Sequence, residues 1–126
     1  MKSYLLIFFL LMITSCVNYT KNVNGEWQQV FMGYETELIE AYITDSANVK
    51  VELLKEKQIV FDYNDGLNPD VSDSIVYRYP NLNFRKLNHN KTFNRYKMIY
   101  NEQCDCFNGT YKSFNGNKVK VKWVRK

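Results

Sequence analysis

Alanine is almost missing from this chain: two residues in 126, matched by only two prolines. Without the strongest helix former, the composition offers little from which long helices could be built. Histidine is rarer still, with His89 alone, and there are three cysteines, Cys16, Cys104 and Cys106. A Ser/His/Asp or Cys/His nucleophilic system would have to rest on that one histidine, which sits in the polar turn Asn88-His89-Asn90. Cys104 and Cys106 lack the second Cys or His pair that a tetrahedral metal site requires. The sequence therefore leads us to expect no metal, no cofactor and no catalysis. No apolar run reaches the roughly 20 residues of a permanent membrane helix. The longest covers residues 4–13.

What the chain has instead is aromatic bulk. Ten tyrosines and eight phenylalanines favour strands, and they let a small chain bury enough apolar area to fold without staples. Charge is divided between two halves. Residues 16–73 carry 4 basic and 11 acidic side chains, whereas residues 74–126 carry 12 basic and 2 acidic ones. Neither half is long enough for a domain of its own, so the two are expected to pair within one fold. Either interleaved strands bring opposite charges together, or the surface is bipolar with its basic side turned to lipid headgroups or an acidic partner.

The front of the chain reads MKSYLLIFFLLMITSC. Lys2 precedes an apolar run of signal-peptide length, and Ile13-Thr14-Ser15-Cys16 follows it. This arrangement resembles the lipobox of bacterial lipoproteins. The resemblance implies that residues 1–15 are removed and that Cys16 becomes an acylated first residue, anchoring the chain in a membrane. Residues 16–24 then read as a short polar tether. Eight residues beyond the cysteine reach at most about 26–29 Å. Val17 is not the aspartate that resembles an inner-membrane retention signal, so the expected location is the outer membrane, facing the periplasm. Nucleic acid is not an expected partner for an exported, tethered domain.

Beyond the tether the period is two. Residues 25–32 form an aromatic and β-branched run, and Val49, Val51 and Leu53 alternate with Lys50 and Glu52. Further strands are expected at 59–63, 74–79, from Leu82, at 92–100 and at 109–114, with residues 101–108 read as a loop. Residues 35–43 carry a helical stripe, Leu38, Ile39, Tyr42 and Ile43, which Thr36 could cap. The clearest pattern comes last. Val119, Val121 and Trp123 alternate with Lys118, Lys120 and Lys122, after an Asn115-Gly116 pair that signals a hairpin with a type I′ turn. The expected fold is all-β: a single antiparallel meander barrel of about eight short strands over residues 25–126, with at most one short helix.

Several of these residues resemble the lipocalin-like domains of small bacterial lipoproteins. Gly25-Glu26-Trp27 is similar to the Gly-x-Trp opening of that family, and residues 82–124 look like its C-terminal half. The resemblance implies that Trp27 packs across the barrel floor, with Arg125 the positional candidate for an arginine beside it. It also implies a binding role. The first reading is a pocket for a small apolar or amphipathic ligand, lined by Tyr77, Tyr96, Met98, Tyr100 and Tyr111. The second is a protein-binding module, such as an inhibitor, an immunity-type lipoprotein or an accessory part of an envelope complex.

Three other constellations stand out. Cys104-Asp105-Cys106 holds the two thiols left once Cys16 is acylated. In a flat strand their Cβ atoms are too far apart to join, while a loop or bulge permits a disulfide. Both states remain open. Asp62-Tyr63-Asn64-Asp65-Gly66 is one residue short of a calcium loop, and turn chemistry accounts for it equally well. Lys118, Lys120, Lys122 and Arg125 form a basic ridge. It serves either as a solvated strand face that discourages edge pairing or as a contact for anionic headgroups.

Overall fold

The computed structural model describes residues 23–34 and 46–126. Eight strands follow one another: β1 (Gly25–Tyr34), β2 (Ala47–Glu52), β3 (Gln58–Asp62), β4 (Asp70–Arg78), β5 (Asn81–Leu87), β6 (Phe93–Asn101), β7 (Cys106–Lys112) and β8 (Lys118–Arg125). Each pairs antiparallel with the next, and β8 returns to β1, closing a barrel. This is an all-β meander, consistent with the lipocalin-like barrel that the resemblance implies. The helical stripe expected at 35–43 lies outside the described residues, as does Cys16.

The alternation that marks β8 in the sequence sets its two faces in the structure. Val119, Val121 and Trp123 are buried, and Lys118 and Lys120 are exposed. The same rule carries Arg125 inward with the odd-numbered residues, so it does not belong to the basic ridge. The hairpin before β8 is present, but its turn differs from the expected type I′. Gly116 has φ +89° whereas Asn115 is not in the left-handed region, and the amide of Gly116 donates to the Ser113 carbonyl at 3.0 Å. These features describe a type I turn closed by a left-handed glycine. Ser113 and Asn115 side chains hydrogen-bond to one another across it, which stabilises the wider loop.

Two bulges hide strands from a period-two reading. In β4 the register runs Ser72 to Lys86 and Asp73 to Arg85, then resumes at Val76 opposite Asn83. One extra residue is inserted, with Ser74 at φ +53°. Asp70 and Ser72 therefore share the inner face with Ile75 and Tyr77, although their parities differ. Tyr79, the last residue of the strand expected at 74–79, lies in the following turn and is exposed. In β1 the shift falls between Phe31 and Gly33.

The lumen is filled by side chains, as an eight-stranded barrel permits. At its middle Phe84, Tyr96 and Tyr111, register partners on β5, β6 and β7, stack at centroid separations of 4.7 and 4.9 Å. Below them Trp27, Phe107 and Trp123 pack edge to face, at 5.1 Å between the first two and 5.4 Å between the last two. Gln29, fully buried, is satisfied by accepting from the Trp123 indole at 2.9 Å. The one thin part of the wall is between β3 and β4, joined by only two register pairs, Val60 with Val71 and Phe61 with Asp70.

Candidate functional site at the polar end of the barrel

The two ends of the barrel differ in chemistry. At one end the Arg125 guanidinium lies 4.1 Å from the Trp27 ring centroid, as the family resemblance implies. Asp105 fixes it there with two charge-assisted bonds, 2.7 Å from Nε and 3.0 Å from Nη2. Tyr100 donates to the same carboxylate at 2.6 Å, and Arg125 Nη1 donates to the Asn24 carbonyl at 3.0 Å. The Trp27 indole donates to the carbonyl of Val23 at 3.1 Å. Val23 is fully buried, so it and Asn24, expected in the tether, are parts of the floor.

Cys104 and Cys106 form a disulfide around Asp105, with Cα atoms 5.2 Å apart. Asp105 itself sits at φ +47°, and β7 begins at Cys106 inside the segment expected to be a loop. The bridge thus braces the residue that holds Arg125. Hydrogen bonding to Arg125 is the chief cause that keeps the Asp105 carboxyl below the ordinary carboxylate range. A carboxyl depressed in the fold adds stability above its unfolded pKa, and that stability is lost as pH falls through the folded value. Burial, aided by the bond to Asp105, pushes Tyr100 up to about 12.

Above the aromatic shelf the inner face turns polar. Ser72, Lys86 and Asn94 are register partners on β4, β5 and β6, one row nearer the mouth than Phe84 and Tyr96. Lys86 is 6% exposed and Asp70 7%. Their charged groups stand 3.6 Å apart, an ion-pair distance longer than a hydrogen bond. Lys86 also contacts the Tyr63 hydroxyl and lies over the rings of Tyr63 and Phe61, at 4.8 and 5.4 Å. His89, expected as a solvated turn residue, turns its Nε2 to Asp70 at 3.1 Å. Asn94 accepts from Asn88 at 3.2 Å. The Ser72 hydroxyl is buried with no hydrogen-bond partner among the described residues.

Comparison with known proteins gives no match. No family model, curated protein or solved structure aligns with this chain. The site must therefore be read from its own residues. Charged side chains are almost never this buried unless paired, and a buried ionisable cluster is a functional-site candidate.

The sequence-expected residues fall elsewhere. Tyr96, Met98, Tyr100 and Tyr111 are buried core and Tyr77 is half-buried, its hydroxyl pushed up to about 12 by burial. They pack against one another because aromatic side chains of this size fill so narrow a lumen. Their place is the body of the barrel, below the polar row. The near-calcium segment uses its oxygens as turn caps: Asp62 accepts from the Asn64 amide at 2.9 Å, and Asp65 from that of Leu67 at 3.0 Å. Lys86 escaped the sequence reading although its parity with Leu82 and Phe84 places it inward.

Proposed function

We propose that this chain is an exported lipoprotein, anchored through an acylated Cys16, whose barrel binds a small amphipathic ligand at the end that carries Lys86 without catalysing a reaction. The observation that carries the binding reading is the row Ser72–Lys86–Asn94 set directly over stacked Phe84 and Tyr96. A ligand head would exchange hydrogen bonds with the Lys86 ammonium and the orphaned Ser72 hydroxyl. Its apolar part would have to separate the packed rings of Phe84 and Tyr96, 3% and 1% exposed, to lie against them. An unsatisfied buried hydroxyl costs about 1–3 kcal/mol, which a bound polar group recovers. Val23 and Asn24, the first described residues, lie beside Trp27 at the floor, the end away from Lys86.

Two measurements test the proposal. Cys16→Ala should abolish metabolic incorporation of fatty acid and release the protein from membranes; a mutant that still labels and still sediments with membranes refutes the anchor. For the site, an environment-sensitive amphipathic fluorophore should bind the natural chain and bind the pair Lys86→Met with Asp70→Asn at least tenfold more weakly. The two residues are changed together because Lys86→Met alone would strand a buried carboxylate, at a cost of about 3–5 kcal/mol. Equal binding by the pair, with the fold retained, would remove the Lys86 end as the site. That result would leave the protein-binding module as the reading to pursue.

A further inference from the structure

The outer wall formed by β5 to β8 carries a charge pattern that a sheet does not adopt for its own stability. Arg85 faces Arg95, Arg95 faces Lys112, and Lys112 faces Lys118, a row of four basic residues across four adjacent strands. Like charges directly opposite one another destabilise a sheet. With strands about 4.8 Å apart, the row is roughly 14 Å long. A second row places Lys97 and Lys120 on either side of Thr110, and Lys122 extends a third.

Of this row, Arg85 alone has an ion-pair partner among the described residues, Asp73 at 2.7 Å. Among the described residues no carboxylate forms an ion pair with Arg95, Lys97, Lys112, Lys118, Lys120 or Lys122. The strands β5 to β8 contain no acidic residue at all. Among the described residues nothing relieves the repulsion along Arg95, Lys112 and Lys118.

The wall is also built to meet an interface. Phe93 lies between two guanidinium groups, 4.7 Å from Arg85 and 5.0 Å from Arg95, which hold both forks against a ring. Next to it a groove of about 480 Å³ is lined by Lys91, Phe93, Arg95, Lys112 and Phe114 among others. Phe114, at the tip of the β7–β8 turn, is 63% exposed. Lysine and arginine around a projecting aromatic ring is the composition that settles at the boundary between headgroups and acyl chains.

The geometry points to a membrane-docking face: the β5–β8 wall lies against an anionic phospholipid surface, with Phe114 entering the headgroup boundary and the row Arg95, Lys112, Lys118 contacting lipid phosphates. An acidic protein would match the charge but gives no reason for a lone projecting phenyl ring. The face stands on its own residues; the anchor proposed above would only keep it near the bilayer.

The test uses the full chain carrying Phe114→Trp, a change at an exposed turn, with vesicles of brominated lipid. Trp27 and Trp123 are fully buried and give a background that lipid cannot quench. With phosphatidylglycerol vesicles the new indole should be quenched at least twofold, with phosphatidylcholine it should not be, and salt near 0.5 M should reverse the effect by screening. Adding Arg95→Gln, Lys112→Gln and Lys118→Gln should abolish quenching and raise the thermal midpoint, because the repulsion is gone. Absent quenching, or quenching equal in both lipids, overturns the proposal and leaves a soluble acidic partner as the occupant. Sedimentation with phosphatidylcholine vesicles reports the anchor separately. A chain that stays in the supernatant there yet is quenched by phosphatidylglycerol would lose the anchor and keep the face.

Discussion

Replacing Trp27 by alanine is expected to destabilise the barrel by about 3–5 kcal/mol, the range for removing a large buried aromatic. The ring is fully buried and is touched from three sides, by Arg125 at 4.1 Å, by Phe107 at 5.1 Å and by Tyr100 at 6.4 Å. Its loss opens a cavity and leaves the Arg125 guanidinium above empty space. It also removes the bond that ties Val23 to the floor. Domains of this size are stable by only about 5–15 kcal/mol, so the change consumes a large share of the total. With a urea slope near 1.5 kcal/mol/M, the unfolding midpoint should fall by roughly 2–3 M. Trp27→Phe, which keeps a ring under Arg125, should lose less than half as much. A midpoint moved by under about 0.5 M in the alanine variant would show that the floor does not hold the barrel together.

Gly109→Ala should be almost as damaging, for the opposite reason. A Cβ at this position would stand 2.1 Å from the carbonyl oxygen of Lys97, 2.6 Å from the Met98 sulfur and 2.8 Å from the Met98 Cα. Two of those neighbours are backbone, so β6 and β7 would have to separate where Met98 faces Gly109. Overpacking of a core costs about 1–3 kcal/mol and occasionally more. The upper end applies here, since a ladder strand must move. Adding Met98→Ala relieves only the sulfur contact and should not restore the lost stability. Chemical denaturation of the single and double variants checks this, and full rescue by the second change would show that the side chain, rather than the strand backbone, sets the limit.

How much of this was written legibly in the sequence differs from strand to strand. Along β8 every second residue is apolar, and the structure follows that pattern without interruption. Along β4 the bulge at Ser74 moves the inner face from even to odd residues. A period-two reading then sees only Ile75 and Tyr77, and misses Asp70 and Ser72. Lys86 was readable by parity, but a lysine on an inner face makes sense only beside Asp70. That partner comes from another strand, 16 residues away in the chain, and no local pattern announces it. The same holds for Asp105. The sequence draws the eye to its flanking cysteines, whereas its partners Arg125 and Tyr100 lie on β8 and β6. Turn chemistry told where the last hairpin lies but not its type, because the side chains of Ser113 and Asn115 support a longer loop.

Closure gives a barrel no free strand edges, yet this one is closed by a clasp of two residue pairs between β3 and β4. When the clasp opens, Val60 and Val71 become parts of two raw edges, each a template for another chain. Two carboxylates without an ion pair among the described residues stand beside this seam: Asp62 ends β3 and Asp65 follows it. Two copies meeting edge to edge there would press like charges together. Asp62 and Asp65 would thus oppose self-association at the seam with the fewest paired residues.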